Sequence, residues 1–203
     1  MANEDKKDFN AMLHDSTEKS KRLQIFTYLI SNWLPYHEKG CDNGKWDLYN
    51  AKREKTGLTM QRGENIPKGL YHLVVSVWIV NQQGQYLLSQ RHPDKQYPLY
   101  WECTGGAVLS GENSLQGAVR EVKEELGITL APEQGKLIYQ FRREDMQDFY
   151  DVWLFHADID IKEMVLQKTE VVDVQWVNQD KLLNMFQKKQ LHPLITYIDT
   201  LIS

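Results

Sequence analysis

The chain has 203 residues, 41% of them hydrophobic and 26% charged, which suits one globular domain of about 150 residues plus an extension and leaves no room for a second full catalytic domain. A formal net charge of −4 gives nucleic acid or an anionic membrane no general attraction, so an anionic ligand must be met by local groups. Only two cysteines, a polar start without a signal-peptide pattern, and no apolar run approaching the roughly 20 residues of a bilayer span make the cytoplasm the expected location, with Cys41 and Cys103 as plain thiols.

In chain order, the first 16 residues are polar, and residues 18–34 then place Leu23, Phe26, Ile30, Trp33 and Leu34 at helical spacing before Pro35 ends the pattern. This N-terminal helical extension, residues 1–44, is expected to pack its apolar stripe on the main domain, residues 45–203. A homodimer contact is the second choice. A membrane surface ranks last, because the polar face lacks a basic excess. Residues 45–70 read as strand, turn and loop. Residues 71–80 and 85–90 read as two strands around a hairpin turn at Asn81 to Gly84, the first carrying the apolar run LVVSVWIV of a buried strand. A loop with Arg91, His92, Lys95, Tyr97 and Tyr100 follows, and residues 101–106 form a short strand and loop.

The stretch GAVLSGENSLQGAVREVKEELGI, residues 106–128, carries the chemistry. On a helix, Leu115, Ala118, Val119, Val122 and Leu126 share one apolar stripe, while Glu121, Glu124 and Glu125 share the adjacent one. Asn113 or Ser114 caps the start, Gln116 stands in the capping-box position after Asn113, and Gly127 suits the left-handed stop, which bounds the helix at about 114–126. Carboxylates at i, i+3 and i+4 repel one another unless a cation sits among them, and their hard oxygens match Mg²⁺ or Mn²⁺. Arg120, four residues before Glu124, offers five donors for orienting carboxylates, and Glu112 lies in the loop that enters the helix. Gly117 is a poor helix former on the carboxylate stripe, placed where a side chain would obstruct the loop or a phosphate.

Further along, residues 136–143 and 149–157 form strands around the polar turn EDMQD, and residues 170–177 form another. Asn178 caps a helix running to about residue 188, and residues 191–201 supply a last amphipathic helix. Mixed strands with helices on both faces make an α/β/α sandwich. The six histidines lack ligand spacing such as H-x-x-x-H, which argues against zinc.

Gly106, Glu112, Arg120, Glu121, Val122, Glu124, Glu125, Gly127 and Ile128 fit the pattern G-x5-E-x7-R-E-U-x-E-E-x-G-U, with U aliphatic, without a departure. A chance match at all nine positions arises in fewer than about one in a million chains of this length. The segment therefore resembles the Nudix box, and the wider resemblance to Nudix hydrolases runs over about residues 71–186. It implies a Nudix-type α/β/α sandwich with a mixed sheet, and metal-dependent cleavage of a diphosphate bond in a small molecule, usually a nucleoside diphosphate joined to another group. It also implies Mg²⁺, or Mn²⁺, held by Glu121, Glu124 and Glu125 with help from the Gly106 carbonyl. Glu121 or Glu125 is then the general base, Arg120 and Glu112 organise the site, and Arg91 and Tyr100 contact substrate.

Glu170 sits where some family members supply a further acidic group to the metal centre, but in this acid-rich stretch it reads as one ordinary acid among several. The run WDLY, TG, RG and P-x-G-x-YHLVV resembles the branch related to isopentenyl diphosphate isomerase. In those isomerases a catalytic cysteine directly precedes the first box glycine; here Gly105 does, and Cys103 lies three residues before Gly106. Hydrolysis is accordingly the leading expectation, with an isomerase-like enzyme and a non-catalytic ligand sensor as alternatives.

Overall fold

A computed structural model describes residues 44–202; the expected helix over residues 18–34 lies outside them. The described part opens with a two-stranded antiparallel hairpin, β1 (Lys45–Tyr49) and β2 (Lys55–Gln61), joined to the main sheet through an isolated bridge between Tyr49 and Tyr71. Leu48, Met60 and Ile66 give this hairpin a small apolar cluster of its own.

The main sheet has seven strands: β3 (His72–Val80), β4 (Tyr86–Arg91), β5 (Trp101–Glu102), β6 (Thr104–Ala107), β7 (Lys136–Arg143), β8 (Asp148–His156) and β9 (Val171–Val177). Five lie in the order β5-β4-β3-β8-β7, while β6 pairs with β3 and β9 with β4. The β3 and β8 strands run parallel in unbroken register from His72 opposite Asp148 to Val80 opposite His156, and the other pairings are antiparallel. In the turn expected at Asn81 to Gly84, the Asn81 Oδ1 accepts hydrogen bonds from the Gln83 and Gln85 amides at 3.1 and 2.8 Å, and Gly84 takes φ of 71°.

The β3 strand is buried on both faces, which is why its sequence is a nearly unbroken apolar run. Leu73, Val75, Val77 and Ile79 point to one side, against Ala118, Val122 and Leu126 of helix α1 (Ser114–Leu126). Trp78 and Val80 point to the other, against Leu182 and Met185 of α2 (Gln179–Gln187) and Ile198 and Leu201 of α3 (Ile198–Ile202). A mixed sheet between helical layers is the α/β/α sandwich expected from the sequence.

The C-terminal segment departs from expectation: instead of one helix over residues 191–201, only residues 198–202 are helical. Leu191 bridges Trp101 in parallel, the Trp101 amide donates to the Gln190 carbonyl at 3.0 Å, and the His192 amide donates to the Trp101 carbonyl at 2.8 Å. Pro193 disfavours helical geometry at His192, so the backbone there satisfies itself on the sheet edge.

Candidate active site

The α1 helix has the ends its sequence encodes. Asn113 Oδ1 accepts from the Gln116 amide at 2.9 Å, the Gln116 side chain accepts from the Asn113 amide at 2.8 Å, and Gly127 stands at φ 73°. Gly117 is buried, and a Cβ there would lie 2.8 Å from Val108 Cγ2. Its missing side chain thus lets the box loop close onto the helix, as the obstruction argument anticipated for the loop.

Arg120 is the hub of the carboxylates. Its Nε and Nη2 donate to the two oxygens of Glu112 at 2.8 and 3.1 Å, Nη1 donates to Glu121 Oε1 and Glu124 Oε2 at 2.9 Å each, and Nη2 also donates to the Ala107 carbonyl at 2.9 Å. Glu112 Oε2 in turn accepts from the Leu109 amide at 2.9 Å, so the guanidinium ties the loop to the helix. Burial works against the Arg120 charge, but Glu112 and Glu121 outweigh it and hold its pKa above the ordinary value. Gly106 lies in β6 opposite Val75, and a Cβ on it would fall 2.5 Å from Glu121 Oε1. Only glycine allows the Glu121 carboxylate to rest against that backbone.

Glu125 is in a different state. It is 7% exposed. Burial pushes its pKa well above the usual carboxylate range; Lys95 opposes the rise, and the neighbouring Glu121, Glu102 and Glu170 add to it. Burial also raises Glu121, against the Arg120 charge.

The segment after the β8 strand folds back onto the end of α1: the Val165 amide donates to the Leu126 carbonyl at 3.1 Å and the Gln167 amide to the Glu125 carbonyl at 2.9 Å. This brings Glu170, read as one ordinary acid among several, beside the ridge with its side chain 10% exposed and ion-paired to Lys95. No local pattern marks Glu170, because its burial depends on this fold-back. Arg91 pairs with Glu102 at 2.6 Å beside it.

The expected metal ligands therefore lie along one ridge, with protein cations among them, and among the described residues no three acidic, histidine or cysteine side chains converge as a finished ligand set. Arg120 uses one oxygen each of Glu121 and Glu124. The hard carboxylate oxygens of Glu121, Glu124 and Glu125 are a donor set that fits Mg²⁺ or Mn²⁺.

The β1–β2 hairpin braces this loop from outside. The Ser110 amide donates to the Lys45 carbonyl at 2.7 Å, and Asp47 accepts from Ser110 Oγ at 2.6 Å and the Gly111 amide at 3.1 Å. At the helix start, the fully buried Asp151 accepts from Arg53, Ser114 Oγ and Gln140 at 2.5, 2.5 and 2.9 Å. Sequence reasoning missed Asp47 and Arg53 as supports, since their partners lie 63 and 98 residues away.

The NUDIX domain family model matches residues 70–196, which include the whole ridge, the loop and the strands that carry them. The chain belongs to the Nudix family. An uncharacterized Nudix hydrolase of Listeria innocua is 43% identical over 142 residues, covering 68% of this chain and 82% of that protein. The isopentenyl-diphosphate Delta-isomerase of Escherichia coli is 27% identical over 136 residues, covering 64% of this chain and 74% of that enzyme. A crystal structure from Deinococcus radiodurans covers 76% of this chain and 97% of its own with a TM-score of 0.61; at 23% identity this is a likeness of fold. The general activity of Nudix hydrolases is cleavage of pyrophosphate bonds.

Within the Nudix frame, Cys103 stands apart from the ridge. It lies in the apolar cluster between the sheet and the α2 and α3 helices, whereas α1 packs on the opposite face. Burial pushes its thiol up to about 12. Arg91, expected in the loop before the box, is instead the last residue of β4, while Tyr100 lies in that loop: Arg91 donates to Glu102 and to the Gln96 carbonyl at 2.8 Å, and the Tyr100 ring meets Tyr97 edge-on at 6.1 Å. Arg143 makes a two-pronged pair with Asp148, and Arg142 donates to the Ala51 carbonyl at 2.7 Å, so both brace the fold.

Proposed function

We propose that this Nudix protein hydrolyses the diphosphate bond of a small molecule, a nucleoside diphosphate joined to another group, using Mg²⁺ or Mn²⁺ at Glu121, Glu124, Glu125 and the Gly106 carbonyl. The observation that carries the reading is Glu125, a carboxylate only 7% exposed and set among other acids, on the same ridge as Glu121 and Glu124. A buried acid in that condition is unfavourable unless it is protonated or meets a cation. When bound, a divalent ion supplies positive charge to phosphate oxygens and lowers the pKa of a coordinated water.

Arg120 holds Glu121 and Glu124 in fixed orientation, and Glu112 holds Arg120. Glu121 or Glu125 takes the proton of the attacking water. Arg91 at the end of β4 and Tyr100 in the following loop contact substrate, Tyr100 with an aromatic ring that can stack on a base. The isomerase alternative needs a thiol at the ridge, and the burial of Cys103 on the other side of the sheet speaks against it.

The test is a panel of ADP-ribose, dinucleoside polyphosphates, nucleotide sugars, nucleoside triphosphates and isopentenyl diphosphate, incubated with the full chain with and without Mg²⁺. Metal-dependent release of phosphorylated products is expected, and Glu125→Gln and Glu124→Gln each lower turnover by about 100-fold or more. Turnover at the parent rate in folded Glu124→Gln protein refutes the site. Rearranged isopentenyl diphosphate in place of hydrolysis products refutes the reaction.

A further inference from the structure

Three acids besides the box carboxylates' own partners define a second pole of the ridge: Glu125 on α1, Glu102 on β5 and Glu170 before β9. The Lys95 ammonium stands among them. Lys95 reaches in from the loop between β4 and β5, its side chain 11% exposed, and pairs directly with Glu170. The backbone builds this meeting independently of the charges. The His92 amide donates to the Glu170 carbonyl at 2.9 Å, the Glu170 amide to the Gln167 carbonyl at 2.9 Å, and the Gln167 amide to the Glu125 carbonyl at 2.9 Å. The loop, the fold-back segment and the helix end are thereby linked in series, and Lys95 is carried to the acids with them.

Arg91 is committed to Glu102 at 2.6 Å and to a backbone carbonyl, while Lys95 pairs with Glu170 and acts on Glu125 through its charge. Its direct pair is with Glu170, and Glu125 lies buried beside it. The Lys95 ammonium is a compact point charge on a flexible four-carbon stem, unlike the Arg120 fork, which five hydrogen bonds hold in place.

We propose that Lys95 is a resident cation at one pole of the carboxylate site, neutralising Glu170 beside Glu125, and that a divalent ion displaces it on binding. The inference rests on the metal-dependent reading above and adds a regulatory element: Lys95 keeps the metal-free acids from repelling one another and sets how tightly the divalent ion is held. Its stem lets the ammonium swing outward, and Glu170 then passes from lysine to metal.

The experiment is Mn²⁺ binding to the full chain, followed by titration calorimetry, for the parent, Lys95→Met and Glu170→Gln, together with acetic anhydride labelling of the parent's lysines read by mass spectrometry with and without Mn²⁺. A unit charge removed from within several ångströms of a bound cation is expected to tighten Lys95→Met about tenfold or more. Glu170→Gln weakens binding, and Lys95 labelling rises several-fold on metal addition. If Lys95→Met binds Mn²⁺ no more tightly than the parent, or Lys95 labelling stays flat while the parent binds, Lys95 is a permanent counter-ion and the inference falls alone. A parent chain that takes up no Mn²⁺ overturns the metal-dependent reading as well. Should Lys95→Met fail to fold, the labelling of the parent decides.

Discussion

Replacing Arg120 by alanine removes five hydrogen bonds and leaves three carboxylates without their shared cation. The Glu124 share is small, because its side chain is 51% exposed and an exposed i, i+4 pair is worth only about 0.3–0.5 kcal/mol. Glu112 and Glu121 decide the magnitude. Their side chains are 22% and 13% exposed, and an acceptor left unsatisfied in such a place costs about 1–3 kcal/mol, with the low end applying where water can enter. The Ala107 carbonyl also loses its side-chain donor, and the total comes to about 3 kcal/mol.

For a domain of this size that is a fall in Tm of about 6–12 °C. Scanning calorimetry of the full chain in a chelator measures it. Arg120→Lys keeps the charge but not the fork, and recovers less than half of the loss. Mg²⁺ is expected to raise the Tm of Arg120→Ala by more than it raises the parent's, since the freed carboxylates gain the most from a cation. An alanine variant that melts within about 2 °C of the parent refutes the reasoning.

Gly117→Ala tests packing against propensity. Helix preference alone gives alanine an advantage of about 1 kcal/mol, but its Cβ would meet the stiff, buried Val108 at 2.8 Å, so urea titration is expected to show a net loss of about 1 kcal/mol. His72 and His192 are both held down to about 3 by burial, so each stays neutral in the folded chain while the unfolded chain takes up a proton as pH falls through 6.5. Their contribution is intact above pH 6.5 and drains away between there and about 3 at roughly 1.4 kcal/mol per pH unit per histidine. Unfolding at pH 7, 6 and 5 should therefore show a shallower acid slope in His72→Gln and His192→Gln, and an unchanged slope contradicts the assignment. Asp47→Ala frees the box loop from the hairpin; it is expected to cost about 1–2 kcal/mol and to speed hydrogen exchange at the Gly111 amide, while unaltered exchange argues that the hairpin does not brace the loop.

Much of the fold is legible because its signals are local. Helix α1 announces its face by the spacing of Ala118, Val122 and Leu126, its start by Asn113 with Gln116, and its stop by Gly127, all within one short stretch. The β3 strand shows through an apolar run that only burial on both faces explains. The failure at residues 191–201 has the same root: apolar spacing suggests a helix, while the carbonyl and amide of Trp101, a distant partner, claim the backbone instead.

The box pattern by itself determined that Glu112, Arg120, Glu121, Glu124 and Glu125 lie together, since residues a turn apart on one helix, and the loop just before it, cannot avoid one another. Which cations those acids meet was decided in three dimensions. Lys95 and Glu170 come from opposite sides of the box in sequence, and Asp47 and Arg53 come from outside the matched family segment, so no periodicity connects them to it. Short-range geometry writes itself into neighbouring residues, whereas the field at a buried carboxylate is the sum over whatever the folded chain brings within a few ångströms.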